Sequence, residues 1–155
     1  RAMPNIAASV AEGMTALTGN KKITNDKIDT ANMIFQSIGN KIWLEDEGQM
    51  DSFTAISGSG PAYFFYFTEC LHKIAIDEGF SEDVAKQISE QIMIGSGKLI
   101  KDSNIDVVQL RENVTSPNGT TEAALKVLCD DDGLLGKLRE AIEKAKKRSI
   151  EISNN

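Results

Sequence analysis

Hydroxyl-bearing and glycine residues gather in two stretches, M-D-S-F-T-A-I-S-G-S-G-P-A-Y from Met50 to Tyr63 and V-T-S-P-N-G-T-T from Val114 to Thr121. In the first, Ser57, Gly58, Ser59 and Gly60 offer hydroxyls and backbone N–H groups without bulky side chains, and Pro61 suits the first position of a helix. An anion could rest at such a helix start. A plain Gly/Ser hinge ahead of a helix fits the same composition. The second stretch, Ser116 to Thr121, repeats the pattern of Ser, Gly and Thr immediately before a helix. Glu47 and Asp51 share a face if residues 45–54 are helical. One of them could face an amine, Asp51 could instead cap or brace the glycine loop, and ordinary surface acidity accounts for both equally well. Donors for a carboxylate beside an acid for a protonated nitrogen match a small amino or imino acid.

Other chemistries find little footing. His72 is the only histidine and falls within a long apolar run, without a neighbouring carboxylate or nucleophile motif in the sequence. The acidic run Asp130-Asp131-Asp132 lacks the ligand pattern of a calcium loop and reads as a solvated turn, so no metal is expected. Ser57 and Ser59 have no base apparent beside them, and no hydrolase signature is present. The two cysteines, Cys70 and Cys129, stand far apart, and the expectation is two reduced, buried thiols.

With 155 residues and 41% hydrophobic content the chain can build one real core. A formal charge of −6 argues against nonspecific nucleic-acid or anionic-membrane binding, while leaving room for a small anion pocket. No window has the apolar length of a transmembrane helix and no secretory signal is visible, so a cytoplasmic location is the expectation. The sequence opens on Arg1-Ala2-Met3-Pro4-Asn5 without an initiating methionine, as a portion of a larger protein would.

The elements that must position these residues are mainly helical. A short strand is expected at Met14 to Leu17, then a helix capped by Thr24 or Asn25 and ended by Gly39, then a second strand around Ile42-Trp43-Leu44. Two such strands are marginal alone and look like the edge of a larger sheet. A short helix over 45–54 leads into the glycine loop. From Pro61 to Asp77 the pattern is apolar on nearly all sides, which places that helix at the centre of a bundle or at a subunit interface. Gly79 ends it and Ser81 caps a helix reaching Lys101, interrupted by Gly95 and Gly97. A short helix over 105–110, one from Glu122 to Leu128 and a final one from Leu134 to Ile152 complete the chain. In the last, Leu134, Leu138, Ile142 and Ala145 face inward, and Lys144, Lys146, Lys147 and Arg148 face outward.

The ordered set R-A-M-P-N, M-D with Thr54, S-G-S-G-P-A-Y and S-P-N-G-T-T resembles the C-terminal part of the pyrroline-5-carboxylate reductase family over essentially the whole chain. The resemblance implies a helical dimerisation domain with a small N-terminal β remnant, of the 6-phosphogluconate-dehydrogenase C-terminal-like type. Residues 1–45 would be the tail of a nucleotide domain with its linking helix, and 46–155 the dimerising and substrate-binding part. A homodimer, or an oligomer of dimers, is implied. So is a Rossmann domain for NADPH or NADH, whose G-x-G-x-x-G fingerprint this sequence does not contain, so that no tight cofactor binding is expected of these residues alone. The implied activity is hydride transfer to the imine carbon of pyrroline-5-carboxylate, giving proline. The resemblance assigns Glu47 to the ring nitrogen, Ser59 and Gly60 to the carboxylate, and Thr120 and Thr121 to the second loop. Asp51, Thr54, Ser57, Gly58, Pro61, Ser116, Asn118 and Gly119 would support the loops, and Met3, Pro4 and Asn5 would border the cofactor. Asn118 departs from the family's usual glycine in S-P-G-G-T-T; asparagine is the next residue best able to take a left-handed conformation.

Overall fold

The computed structural model describes residues 1–154. The chain forms two compact bodies: Arg1–Tyr63 together with the described residues from Arg139 onward, and Phe64–Leu138.

The first body is built on a three-stranded sheet in the order β1-β2-β3. β1 (Ala2–Met3) runs antiparallel to β2 (Gly13–Leu17), and β2 runs parallel to β3 (Gly39–Trp43) with Gly13 opposite Gly39 and Leu17 opposite Trp43. The parallel pair is joined by α1 (Asn25–Gln36). The two expected strands and their helix are thus present, and R-A-M supplies a third strand that the turn signal at Pro4 concealed. Gly39 opens β3 instead of ending the helix. Its φ is +138°, and a Cβ there would lie 2.1 Å from the Gly13 carbonyl oxygen, so only glycine lets the strands meet at this point. Thr15, Ala16, Leu17, Met50 and Ala55 are buried and form the core of this body.

The segment expected as a short helix and a glycine loop is one irregular helical run. Asp46 accepts from the Gly48 N–H at 2.9 Å and caps a 3-10 turn, Glu47–Gln49; α2 (Met50–Phe53), a π-turn over Thr54–Gly58 and α3 (Gly60–Asp77) follow directly. Pro61 supplies the physical reason. It has no N–H to give the Ser57 carbonyl, and its ring crowds that carbonyl, so the helix widens ahead of it. The Ser59 N–H reaches the Thr54 carbonyl at 2.9 Å, five residues back. This corrects the expectation of a loop of free N–H groups before a helix.

The second body holds the rest of α3, α4 (Glu82–Asp102), α5 (Val107–Asn113), α6 (Thr120–Leu128) and the first turn of α7 (Leu134–Ser153). Gly79, at φ +92°, ends α3 as expected: the Gly79 N–H bonds to the Ile76 carbonyl and the Phe80 N–H to that of Ala75, a Schellman close. Gly95 and Gly97 do not interrupt α4, which is continuous through both. Phe64, Phe65 and Tyr66 are 62%, 64% and 63% exposed, so α3 is not central to a bundle within one chain. The cysteines also depart from expectation, Cys70 being half-buried and Cys129 exposed. Among the described residues no helix is long and apolar enough to cross a membrane.

Candidate functional site

In the first body the π-turn decides what faces outward together. Residues five apart on an α-helix point about 140° away from each other at 3.6 residues per turn, whereas an i→i+5 bond stacks them. Thr54 and Ser59 therefore share a face, and both line a groove of about 490 Å³ with Met3, Arg148 and Ser149. Thr54 is itself held by its hydroxyl, which donates to the Met50 carbonyl at 2.8 Å. The carbonyl that Pro61 leaves without its helical donor, that of Ser57, accepts from Asn5 Nδ2 at 3.2 Å. Asn5 Oδ1 accepts in turn from the Met14 N–H, so the M-P-N stretch is pinned to both the π-turn and β2. Tyr63 closes the turn from the other side, its hydroxyl donating to the Ala55 carbonyl at 2.9 Å.

Two further sequence-predicted positions have definite partners. Asp51 accepts a 2.6 Å hydrogen bond from Ser149 Oγ on α7, so it braces the helical run through the last helix of the chain. Glu47 lies outside the groove and pairs with Arg1 at 3.2 Å, both side chains about half exposed or more. Gly58 sits under Met3, whose terminal methyl is 3.3 Å from where a Cβ would be, and Gly60 is buried. Pro4 is exposed. A second hollow of about 360 Å³, beside Thr18, Lys22 and Lys27, contains none of the predicted residues.

The other predicted loop belongs to the second body and is a tight turn. Asn118 has φ +58°, the left-handed conformation expected of it. Its N–H donates to Glu122 Oε2 at 2.5 Å, and the Gly119 N–H returns to the Ser116 carbonyl at 3.0 Å. A Cβ at Gly119 would strike Ser116 Oγ at 2.3 Å, so the turn needs glycine there. Thr120 and Thr121 open α6, which starts two residues before the expected Glu122. The Glu122 carboxyl is held below its usual range, first by Lys126 at 3.0 Å and then by the Asn118 N–H.

Arg148, Ser149 and Ser153 are groove residues that the sequence reading missed. The signal was there: Leu138, Ile142, Ala145, Ser149 and Ile152 continue one helical stripe, and Ser149 is the polar member of an apolar row.

A family model described as pyrroline-5-carboxylate reductase dimerisation matches residues 47–152. The chain belongs to this family. It is 35% identical over 153 residues to the pyrroline-5-carboxylate reductase of Pseudomonas aeruginosa, covering 99% of this chain and 56% of that protein. Identity to the Synechocystis enzyme is 38% over 152 residues, covering 98% and 56%. Among solved structures, a pyrroline-5-carboxylate reductase from Coxiella burnetii superposes with a TM-score of 0.91 at 38% identity, over 97% of this chain and 56% of that one. The Plasmodium falciparum pyrroline carboxylate reductase, solved with NADP bound, gives 0.82 at 34% identity over 96% and 60%. The chain thus spans a little over half the length of these reductases and resembles their C-terminal dimerisation domain.

The residues present do not form the usual cradle for a dinucleotide. The one parallel strand-helix-strand unit among the described residues turns through Thr18–Thr24, T-G-N-K-K-I-T, with a single glycine, Gly19, where the dinucleotide fingerprint uses three to bring the backbone close to the pyrophosphate.

Proposed function

We propose that this chain is the dimerising, substrate-binding portion of a reductase that converts 1-pyrroline-5-carboxylate to L-proline in proline biosynthesis, with NADPH or NADH held by a nucleotide domain outside these residues. Residues 1–45 would be the tail of that domain, and 46–155 a helical domain of the 6-phosphogluconate-dehydrogenase C-terminal-like type. The proposal places the protein in the cytoplasm and gives it a second copy of the same chain as partner, with neither nucleic acid nor membrane.

The observation that carries the substrate reading is the groove that Thr54 and Ser59 line together, a space of small-molecule size beside Met3. In this reading Ser59 and Gly60 receive the substrate carboxylate, Glu47 attends the ring nitrogen once released from Arg1, and Thr120 and Thr121 contribute from the second loop. What these residues do is bind and orient, a contribution worth several kcal/mol when the reacting atoms are held in line.

The test is to join the chain at Arg1 to the nucleotide domain of a family member and follow NADPH oxidation with pyrroline-5-carboxylate. Turnover is expected, with Ser59→Ala lowering kcat/KM by about tenfold, since a hydrogen bond to a charged group contributes about 1.5 kcal/mol or more. A folded fusion without turnover, or Ser59→Ala at the unmodified rate, would contradict the reading. The 155-residue chain alone is expected to form no proline.

A further inference from the structure

The hydrogen bond from Ser149 Oγ to Asp51 Oδ1 joins residues 98 apart in sequence, at 2.6 Å and partly buried. It ties the C-terminal part of α7 to the turn of helix immediately before the π-turn. Both ends of this tie bear on the groove: Ser149 lines its wall, and Asp51 stands three residues before Thr54, which lines it as well. The π-turn is a local choice between two registers. Rewinding to α geometry would carry the Ser59 side chain about 140° from Thr54 and out of their common face. Pro61 makes the helix widen ahead of it, and a fixed point just upstream would confine the extra residue to Thr54–Gly58.

We infer that Asp51 and Ser149 are positioning residues, whose hydrogen bond fixes the π-turn and so presents Ser59 to the groove. The consequence for ligand binding rests on the proposed substrate role of that groove; the positioning itself does not. Neither residue need touch a ligand. The neighbouring contacts act in the same sense, since Asn5 holds the Ser57 carbonyl and Tyr63 the Ala55 carbonyl, so that each end of the π-turn is pinned by a side chain from outside it.

The experiment follows the backbone amide resonances of the full chain in Ser149→Ala, Ser149→Thr, Asp51→Ala and Asp51→Asn, together with titration by L-proline. The amides of Ser57 to Gly60 are expected to move in Ser149→Ala and Asp51→Ala, while those of Ala85 and Ser89 in the second body stay in place. Ser149→Thr keeps the hydroxyl and Asp51→Asn keeps an acceptor, so both should restore the original positions. L-Proline affinity should fall about tenfold in the two alanine variants and stay within about twofold in the conservative ones. Unmoved Ser57–Gly60 resonances in Ser149→Ala, or shifts spread evenly over both bodies, would overturn the inference. If the unmodified chain does not bind L-proline, the substrate reading loses its support, and the resonances still decide the positioning.

Discussion

The two bodies of this chain, one built on a sheet and the other on helices alone among the described residues, differ in what they bury. The first encloses Thr15, Ala16, Leu17, Met50 and Ala55, each no more than 2% exposed, against a sheet whose central strand is covered on both faces. In the second, the buried residues are Ala75, Ala85 and Ser89, all small, while Phe64, Phe65, Tyr66, Ile74, Ile94 and Leu99 stand more than half exposed. Burying one such side chain contributes about 1.5–3 kcal/mol, so a body that leaves this many in water forgoes the main source of folding free energy. Contiguous apolar surface of that kind marks an association site. The first body is a core with a groove, and the second a set of amphipathic helices whose apolar faces await a partner, which the proposed function supplies as a second copy. Gly95 and Gly97 fit the same contrast: nothing lies within 4 Å of a Cβ at either, so no contact within the chain accounts for glycine there.

Charging the exposed aromatic face should break the comparison most sharply. On a free surface Phe65→Glu with Tyr66→Glu would be harmless; at an interface each buried anchor contributes about 2 kcal/mol or more, so the pair should weaken self-association by at least about a thousandfold. Sedimentation of the variant would then give the single-chain mass, with thermal unfolding of the second body at lower temperature. Next comes the first body's own core. Met50→Ala should cost about 2–5 kcal/mol by thermal or denaturant unfolding, because Met50 is fully buried. That loss should be independent of association, which is what separates the two bodies.

Smaller effects sharpen the picture of the second loop. Asn118→Ala forces a residue with a Cβ and no side-chain compensation into φ +58° and should cost about 1 kcal/mol, whereas Asn118→Gly should be neutral or slightly stabilising. The smallest effect is a pH dependence. Because Lys126 and the Asn118 N–H depress the folded-state pKa of Glu122, its contribution is present above the usual glutamate range and lost as pH falls through the depressed value. Glu122→Gln should remove that acid-side loss of stability, measured as a flatter unfolding-midpoint profile below the glutamate range.

Much of this was legible in the residues. The helical class, the strand at Met14–Leu17, the Gly79 stop and the left-handed Asn118 all follow from local signals: periodicity, a terminal glycine, and a short amide side chain where φ is positive. Composition favours a turn at Ser57–Gly60, while the outcome depends on Pro61 acting on a carbonyl four residues earlier and on Asn5 being at hand to donate to that carbonyl. No local rule contains a partner 52 residues away. Ser149 stands out in the sequence as the polar member of an apolar stripe, and only the fold adds that Asp51 lies opposite it. The strand at Ala2–Met3 was hidden by its brevity and by the proline that follows.

The second body's exposed helices should find their cover in another copy of the chain. Sedimentation equilibrium of the unmodified protein at micromolar concentration measures this directly. Twice the 16.9 kDa chain mass, or a multiple of that pair, is the predicted result. A single 16.9 kDa species with a cooperatively folded second body would contradict it.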